Sequence, residues 1–122
     1  MNDNHYQQNL YMKINLTITG CMGRMGQQLI KSSNKNKIFK IVSLTENFKI
    51  NKKIHNILPE FNNVSSFKKT NIIIDFTIPK CTFEVLKIAS KLKKKVVIGT
   101  TGFTKKEENL IKFYSKKIPI LK

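Results

Sequence analysis

The stretch Lys13-Ile14-Asn15-Leu16-Thr17-Ile18-Thr19-Gly20-Cys21-Met22-Gly23-Arg24-Met25-Gly26 decides the fold. In Lys13–Thr19, apolar Ile14, Leu16 and Ile18 alternate with polar neighbours and then meet Gly20, the pattern of a strand entering a turn. Beyond the glycines, Met25, Leu29 and Ile30 fall at helical spacing and predict the buried face of a helix, with Ser32–Lys37 as a turn-rich exit. A glycine-rich turn between strand and helix suits a phosphate group. The helix N-terminus offers unpaired N–H groups and a positive dipole end, and glycines let the backbone approach without a Cβ. Gly26 allows close packing of helix on strand. The spacing is G-x-x-G-x-x-G, with Met22 where the common dinucleotide fingerprint has its second glycine. Three glycines serving only a tight turn are the plainer alternative.

Outward from this motif the chain alternates strand and helix. Ile38–Leu44 reads as a second strand, followed by Glu46, 26 residues after Gly20, where a carboxylate can accept from ribose hydroxyls. Thr45–Lys69, with Pro59 and several Asn, reads as loop with short irregular pieces. Asn71–Phe76 (NIIIDF) is a continuous apolar run, as for a strand buried on both faces. Pro79 suits a first helical turn, and Val85, Ile88, Ala89 and Leu92 make an amphipathic stripe that Lys93–Lys95 closes. Val96–Gly99 is a fourth strand. Thr104 and Glu107 form a capping box, with Leu110, Ile111 and Tyr114 as the buried face of the next helix, and Ile118–Leu121 starts a fifth strand. This order predicts an α/β domain with a doubly wound parallel sheet and helices on both faces.

The 122 residues fit one domain, since domains commonly run to roughly 100–150 residues. No apolar run approaches the ~20 residues of a membrane span. The net charge of +16 invites a nucleic-acid reading, but Lys, Asn and Ile make up 52 residues and Arg24 is the single arginine. Nucleic-acid sites recruit Arg for bidentate contacts, so this composition reads as nucleotide bias in the gene. Cys21 and Cys81 lack metal-ligand spacing and read as reduced thiols of a cytoplasmic protein. Cys21 becomes reactive only if the helix N-terminus lowers its pKa; a small loop residue is the favoured reading. His5 and His55, the only histidines, read as surface residues, and no catalytic or metal constellation stands out.

The motifs together resemble one family. G-x-x-G-R-M-G after a first strand, a strand ending in Thr45-Glu46, then Asp75-Phe76-Thr77 and Gly99-Thr100-Thr101-Gly102-Phe103 look like 4-hydroxy-tetrahydrodipicolinate reductase, from about Met12 to Lys122. The resemblance implies a Rossmann-like domain that ends after about five strands and binds NADH or NADPH. It implies that Gly20, Cys21, Met22, Gly23, Arg24 and Met25 wrap the pyrophosphate and that Glu46 holds the ribose. Phe76 and Thr77, with Asp75, would line the crevice, and Gly99, Thr100 and Thr101 would reach the nicotinamide. Asn47 stands where some members carry an Arg suited to a 2′-phosphate, which tilts the reading to NADH, while Arg24 keeps NADPH open.

The family's substrate-handling and tetramer-forming domain, with its His-His stretch and Lys, is absent from these residues. The expectation is therefore a cofactor-binding part that is inactive alone, the full-length family being a homotetramer in diaminopimelate and lysine biosynthesis. A small-molecule substrate is expected only with the missing domain, and no membrane or nucleic-acid partner. Residues 1–11 read as an extension without a fold of its own. A free-standing Rossmann regulator or sensor, and a basic nucleic-acid-binding protein, are the alternatives.

Overall fold

The computed structural model describes residues 13–122, so the expectations for residues 1–11, and His5 with them, lie outside the described residues. The elements run β1 (Ile14–Thr19), α1 (Arg24–Ser33), β2 (Phe39–Thr45), α2 (Val64–Lys68), β3 (Ile72–Asp75), α3 (Pro79–Leu92), β4 (Lys95–Ile98), α4 (Lys105–Ser115) and β5 (Ile120–Leu121). All neighbouring strands pair in parallel, in the order β2-β1-β3-β4-β5. Strand order reverses at β1: α1 carries the chain outward to β2, and the next connection returns across β1 to β3. In open parallel sheets such a switch point leaves a crevice at the carboxyl ends of the strands.

The capping box of α4 is present as expected: Thr104 accepts from the Glu107 amide, and Glu107 accepts from the Thr104 amide. Pro79 opens α3, and Lys93 ends it in the left-handed region at φ 58°, where the Lys94 amide returns to Ala89 O. Among the described residues no helix is long and apolar enough to cross a membrane.

The two faces of the sheet are covered unequally. Phe67 of α2, Val85, Leu86 and Ala89 of α3 and Ile111 of α4 pack with Ile73, Val96 and Ile98 in the larger core cluster. On the opposite face Ile30 of α1 packs with Ile18, Cys21, Ile41 and Leu44. The consequence shows in β3, where Ile73 and Asp75 are buried while Ile72 and Ile74 are half-buried. The expected burial of that strand on both faces is therefore corrected: on its second face Ile74 borders a cavity shared with Leu29 of α1. Met25 and Leu110, expected in buried stripes, are exposed at the rims of α1 and α4.

Thr45–Lys69 holds more order than its composition suggests. The Glu60 amide donates to Leu44 O and its carbonyl accepts from the Glu46 amide, so a short segment lies parallel along the edge of β2. Asn63 caps α2 by accepting from the Ser66 amide at 2.8 Å, and this turn drives Phe67 fully into the core.

Candidate functional site

The turn after β1 begins at Gly20, whose φ of +66° is the left-handed region open to glycine. A Cβ there would lie 2.1 Å from the Phe76 carbonyl oxygen, so the β1–α1 turn and the end of β3 meet backbone to backbone. The Phe76 ring lies on the other side, against Gly99, where an added Cβ would sit 1.9 Å from the ring edge. Phe76 is thus wedged between two loops that both require glycine. Gly26 packs the start of α1 onto this turn, its missing Cβ falling 2.4 Å from Gly20 O; the contact is with the loop rather than the strand expected.

Several amides of the turn are committed. Cys21 N–H donates to Thr45 O at 3.2 Å, Gly23 N–H to Gly20 O at 3.1 Å, and Met22 N–H to Glu46 Oε2 at 2.9 Å. The first helical amides are not. Gly23 is the N-cap of α1 and provides no side-chain cap, the first turn holds no acidic residue, and α1's interior bonding starts with Gln27 N–H to Gly23 O. Among the described residues, no acceptor pairs with the N–H groups of Arg24, Met25 and Gly26. A helix begun in this way presents donors and a positive dipole end to an anion.

A cleft of about 320 Å³ opens at the switch point, lined by Gly20, Met22, Gly23, Glu46, Asn47, Phe48, Phe76, Thr77 and Ile78. Glu46 is nearly buried, and its second oxygen accepts from the Asn47 amide at 3.0 Å. The carboxylate therefore anchors the glycine turn, and each oxygen retains capacity for one more donor. Beside it a second cleft of about 490 Å³ runs over Glu46, Asn47, Phe61, Asn62, Lys80, Cys81 and Glu84. A third, of about 470 Å³, lies along Gly99, Thr100, Thr101, Gly102 and Phe103 with Glu108 and Lys122.

The candidate residues therefore divide. Gly20, Met22, Gly23, Glu46, Phe76 and Thr77 meet in one cleft, and Gly99, Thr100 and Thr101 form another beyond Phe76. Cys21 turns its side chain into the core beneath α1, while the side chains of Arg24 and Met25 are exposed and line none of these three clefts. Burial, reinforced by the charge of Glu46, pushes the Cys21 thiol up to about 11, which removes the reactive reading of that residue. Asp75 does not line the crevice as expected but lies fully buried beneath it. Thr100, also expected at the nicotinamide, points its hydroxyl inward to Asp75 at 3.0 Å. Phe48 and Ile78 complete the cleft and were not anticipated. Their signal in the sequence is a large apolar residue just past a strand end, where no core remains to receive it.

The residues fit a dinucleotide: glycines admit a ligand against the backbone, unpaired amides await an anion, and a carboxylate stands across the cleft. Fold and site together define a Rossmann-like dinucleotide-binding domain. The family model described as "Dihydrodipicolinate reductase, N-terminus" matches residues 14–122, and the chain belongs to that family. It is 67% identical over 110 residues to the 4-hydroxy-tetrahydrodipicolinate reductase of Pelagibacter ubique (strain HTCC1062), covering 90% of this chain and 43% of the relative. To the enzyme of the same name from Buchnera aphidicola subsp. Cinara cedri it is 39% identical over 121 residues, covering 89% of this chain and 44% of the relative. A dipicolinate-bound dihydrodipicolinate reductase from Paenisporosarcina sp. TG-14 superposes with a TM-score of 0.69 at 25% identity, over 85% of this chain and 43% of that one. The chain thus spans less than half the length of these relatives.

Proposed function

We propose that this chain is the cofactor-binding part of a 4-hydroxy-tetrahydrodipicolinate reductase, holding NADH or NADPH for reduction of a cyclic imine-type substrate in lysine and diaminopimelate biosynthesis. The observation that carries the reading is the uncapped start of α1 at the switch point, with Glu46 across the cleft. When bound, the reduced nicotinamide supplies the hydride; the residues of this chain bind and orient it. The turn Gly20–Met25 wraps the pyrophosphate through the amides that follow Gly23, with the Arg24 guanidinium on the adenosine phosphate side. Glu46 accepts from the ribose hydroxyls with the capacity its two amide bonds leave. Phe76 and Thr77 line the middle of the crevice, and Gly99, Thr100 and Thr101 bound its nicotinamide end. Because the Thr100 hydroxyl is turned inward, Thr100 serves that end through its backbone.

Asn47 offers no positive charge to a 2′-phosphate, so NADH is the favoured cofactor and NADPH the weaker one. These residues hold the cofactor and supply no catalytic group of their own, so by themselves they are expected to be inactive. The full-length protein acts as a cytoplasmic homotetramer, with no membrane or nucleic-acid partner. Fluorescence titration with NADH and NADPH tests the reading. Saturable binding, tighter for NADH, is the expected result, with no sustained NADH oxidation when substrate is added. Absence of saturable binding of either cofactor at millimolar concentration overturns it, and sustained turnover overturns the inactive-alone claim.

A further inference from the structure

Asp75 ends β3 with no exposed surface, and every donor its carboxylate meets is a threonine hydroxyl. Thr19 and Thr77 donate to Oδ1 at 2.5 and 2.8 Å, and Thr82 and Thr100 donate to Oδ2 at 2.5 and 3.0 Å. These hydroxyls come from the end of β1, the β3–α3 turn, the first turns of α3 and the segment after β4. A carboxylate offers about four lone-pair sites and each hydroxyl donates once, so the set closes on itself. Thr100 is fixed twice over. Its Oγ1 also accepts from the Thr77 amide at 2.9 Å, which leaves its own proton for Asp75.

The two crevice loops depend on this cluster to different degrees. The β1–α1 turn has backbone anchors of its own, in the bonds of Cys21, Met22 and Gly23 to Thr45, Glu46 and Gly20. Past Gly99, whose amide donates to Asp75 O at 2.8 Å, the β4–α4 loop has no further backbone bond among the described residues until the Thr104 cap. The Thr100 side chain is the tether of its Gly99–Thr101 part, while Phe103 packs edge-on to Phe83 at the other end of the loop.

We propose that Asp75 is a positioning residue: gripped by Thr19, Thr77, Thr82 and Thr100, it fixes the Gly99–Thr101 loop and so governs affinity for the nicotinamide half of the dinucleotide without touching it. This rests on the dinucleotide reading above. The turn beside the pyrophosphate and adenosine half is also touched by Asp75, through Thr19 and Thr77. It keeps the amide bonds of Cys21, Met22 and Gly23 when that grip is weakened, so this half loses less.

The test uses Asp75→Asn and Thr82→Val, since neither residue lines a crevice cleft, with Thr82→Ser as the conservative variant. Each is titrated with NADH and with ADP-ribose, which lacks the nicotinamide half. The expected result is an NADH affinity lower by about tenfold, the worth of one well-placed hydrogen bond, with ADP-ribose affinity shifting less than about twofold and Thr82→Ser restoring NADH binding. Amide hydrogen exchange supplies a readout that needs no ligand: residues 99–102 exchange faster in Asp75→Asn and Thr82→Val while residues 20–26 do not. Equal loss of both ligands, no loss of either, or faster exchange in both loops overturns the proposal. Wild-type chain that binds neither ligand overturns the dinucleotide reading instead, and the exchange pattern then still decides whether Asp75 holds the loop. If Asp75→Asn does not fold, the Thr82 pair carries the same comparison.

Discussion

α4 begins with Thr104 and Glu107 in a reciprocal capping box and carries Glu107 and Glu108 in its first turn, whereas α1 begins with Gly23, has no side-chain cap and holds no acid in its first turn. Both helices start just beyond the carboxyl ends of strands, where an open parallel sheet receives ligands. Glu107 and Glu108 already complement the dipole of α4, and the box satisfies two orphan groups, so that terminus has fewer free donors to offer an anion. The start of α1 leaves the same groups unmet. In one sheet, the same structural element is finished by its own side chains in one place and left uncapped in the other. What distinguishes the two ends is the residue at the cap, not the geometry of the helix.

The largest effect is expected at the turn that aims α1. Gly20→Ala puts a Cβ 2.1 Å from the Phe76 carbonyl oxygen at a φ of +66°. Strain of this kind alone costs on the order of 1–3 kcal/mol, and the clash adds to it. Melting should fall by on the order of 10 °C, and titration should show dinucleotide binding lost. Retained binding at wild-type affinity breaks the link between this turn and the ligand.

A sharper test gives α1 the cap it lacks. Gly23 has φ −72° and ψ 168°, extended backbone that any residue adopts, and a Cβ there meets only Gly20 O at an ordinary 3.4 Å. Gly23→Asp therefore supplies a carboxylate that accepts from the first-turn amides, stabilising the helix by about 0.3 kcal/mol, since glycine is itself a tolerated cap. The same carboxylate occupies the anion's donors and repels its charge. Melting temperature should hold or rise while dinucleotide affinity drops by about tenfold or more, opposite movements that general damage does not produce. A variant that binds as tightly as wild type shows that α1 is not where the pyrophosphate sits.

Much of this contrast is legible in the sequence, because caps and glycine turns are local. Thr104 and Glu107 are three residues apart, Gly20–Gly26 follows an alternating strand, and Glu46 closes the next one. What escapes is what depends on residues far along the chain. Thr100 and Thr101 look alike side by side, yet one hydroxyl turns to Asp75 and the other residue stays exposed, a choice made by a carboxylate 25 residues away. The apolar run Ile72-Ile73-Ile74 cannot report that Ile72 and Ile74, on one of its faces, stay half-buried. The five-residue α2 is too short for a periodic signal, and only its Asn63 cap and Phe67 mark it. Glu46 was readable as an acid at the ribose position, but its grip on the Met22 amide depends on where the turn folds back.

The same comparison predicts smaller effects where side chains already complete the structure. Thr104→Ala removes the capping box of α4 and should cost about 1 kcal/mol, lowering the melting temperature by roughly 5 °C. Dinucleotide affinity should stay within about twofold of wild type; a loss like that of Gly23→Asp would erase the distinction between the two termini.

The smallest effect concerns Cys21, which lies in the glycine turn before α1 and yet is not activated by it. Its side chain is buried against Ile18, Ile30, Ile41 and Leu44, and burial with the nearby Glu46 charge raises its thiol from 9.0 to about 11. Alkylation of the folded chain near neutral pH should therefore modify Cys81, which is half-buried and beside Asn47, and leave Cys21 intact until unfolding. The pH dependence has a defined sign. Above about pH 9 the unfolded thiol loses its proton while the folded one keeps it up to about 11, so the folded state binds more protons across that window. Stability contributed by Cys21 is then present below pH 9 and declines as pH rises toward 11, and Cys21→Ala should flatten that part of a stability–pH curve. Prompt modification of both thiols in the folded chain would show the start of α1 acting on the side chain of the turn as well as on an anion.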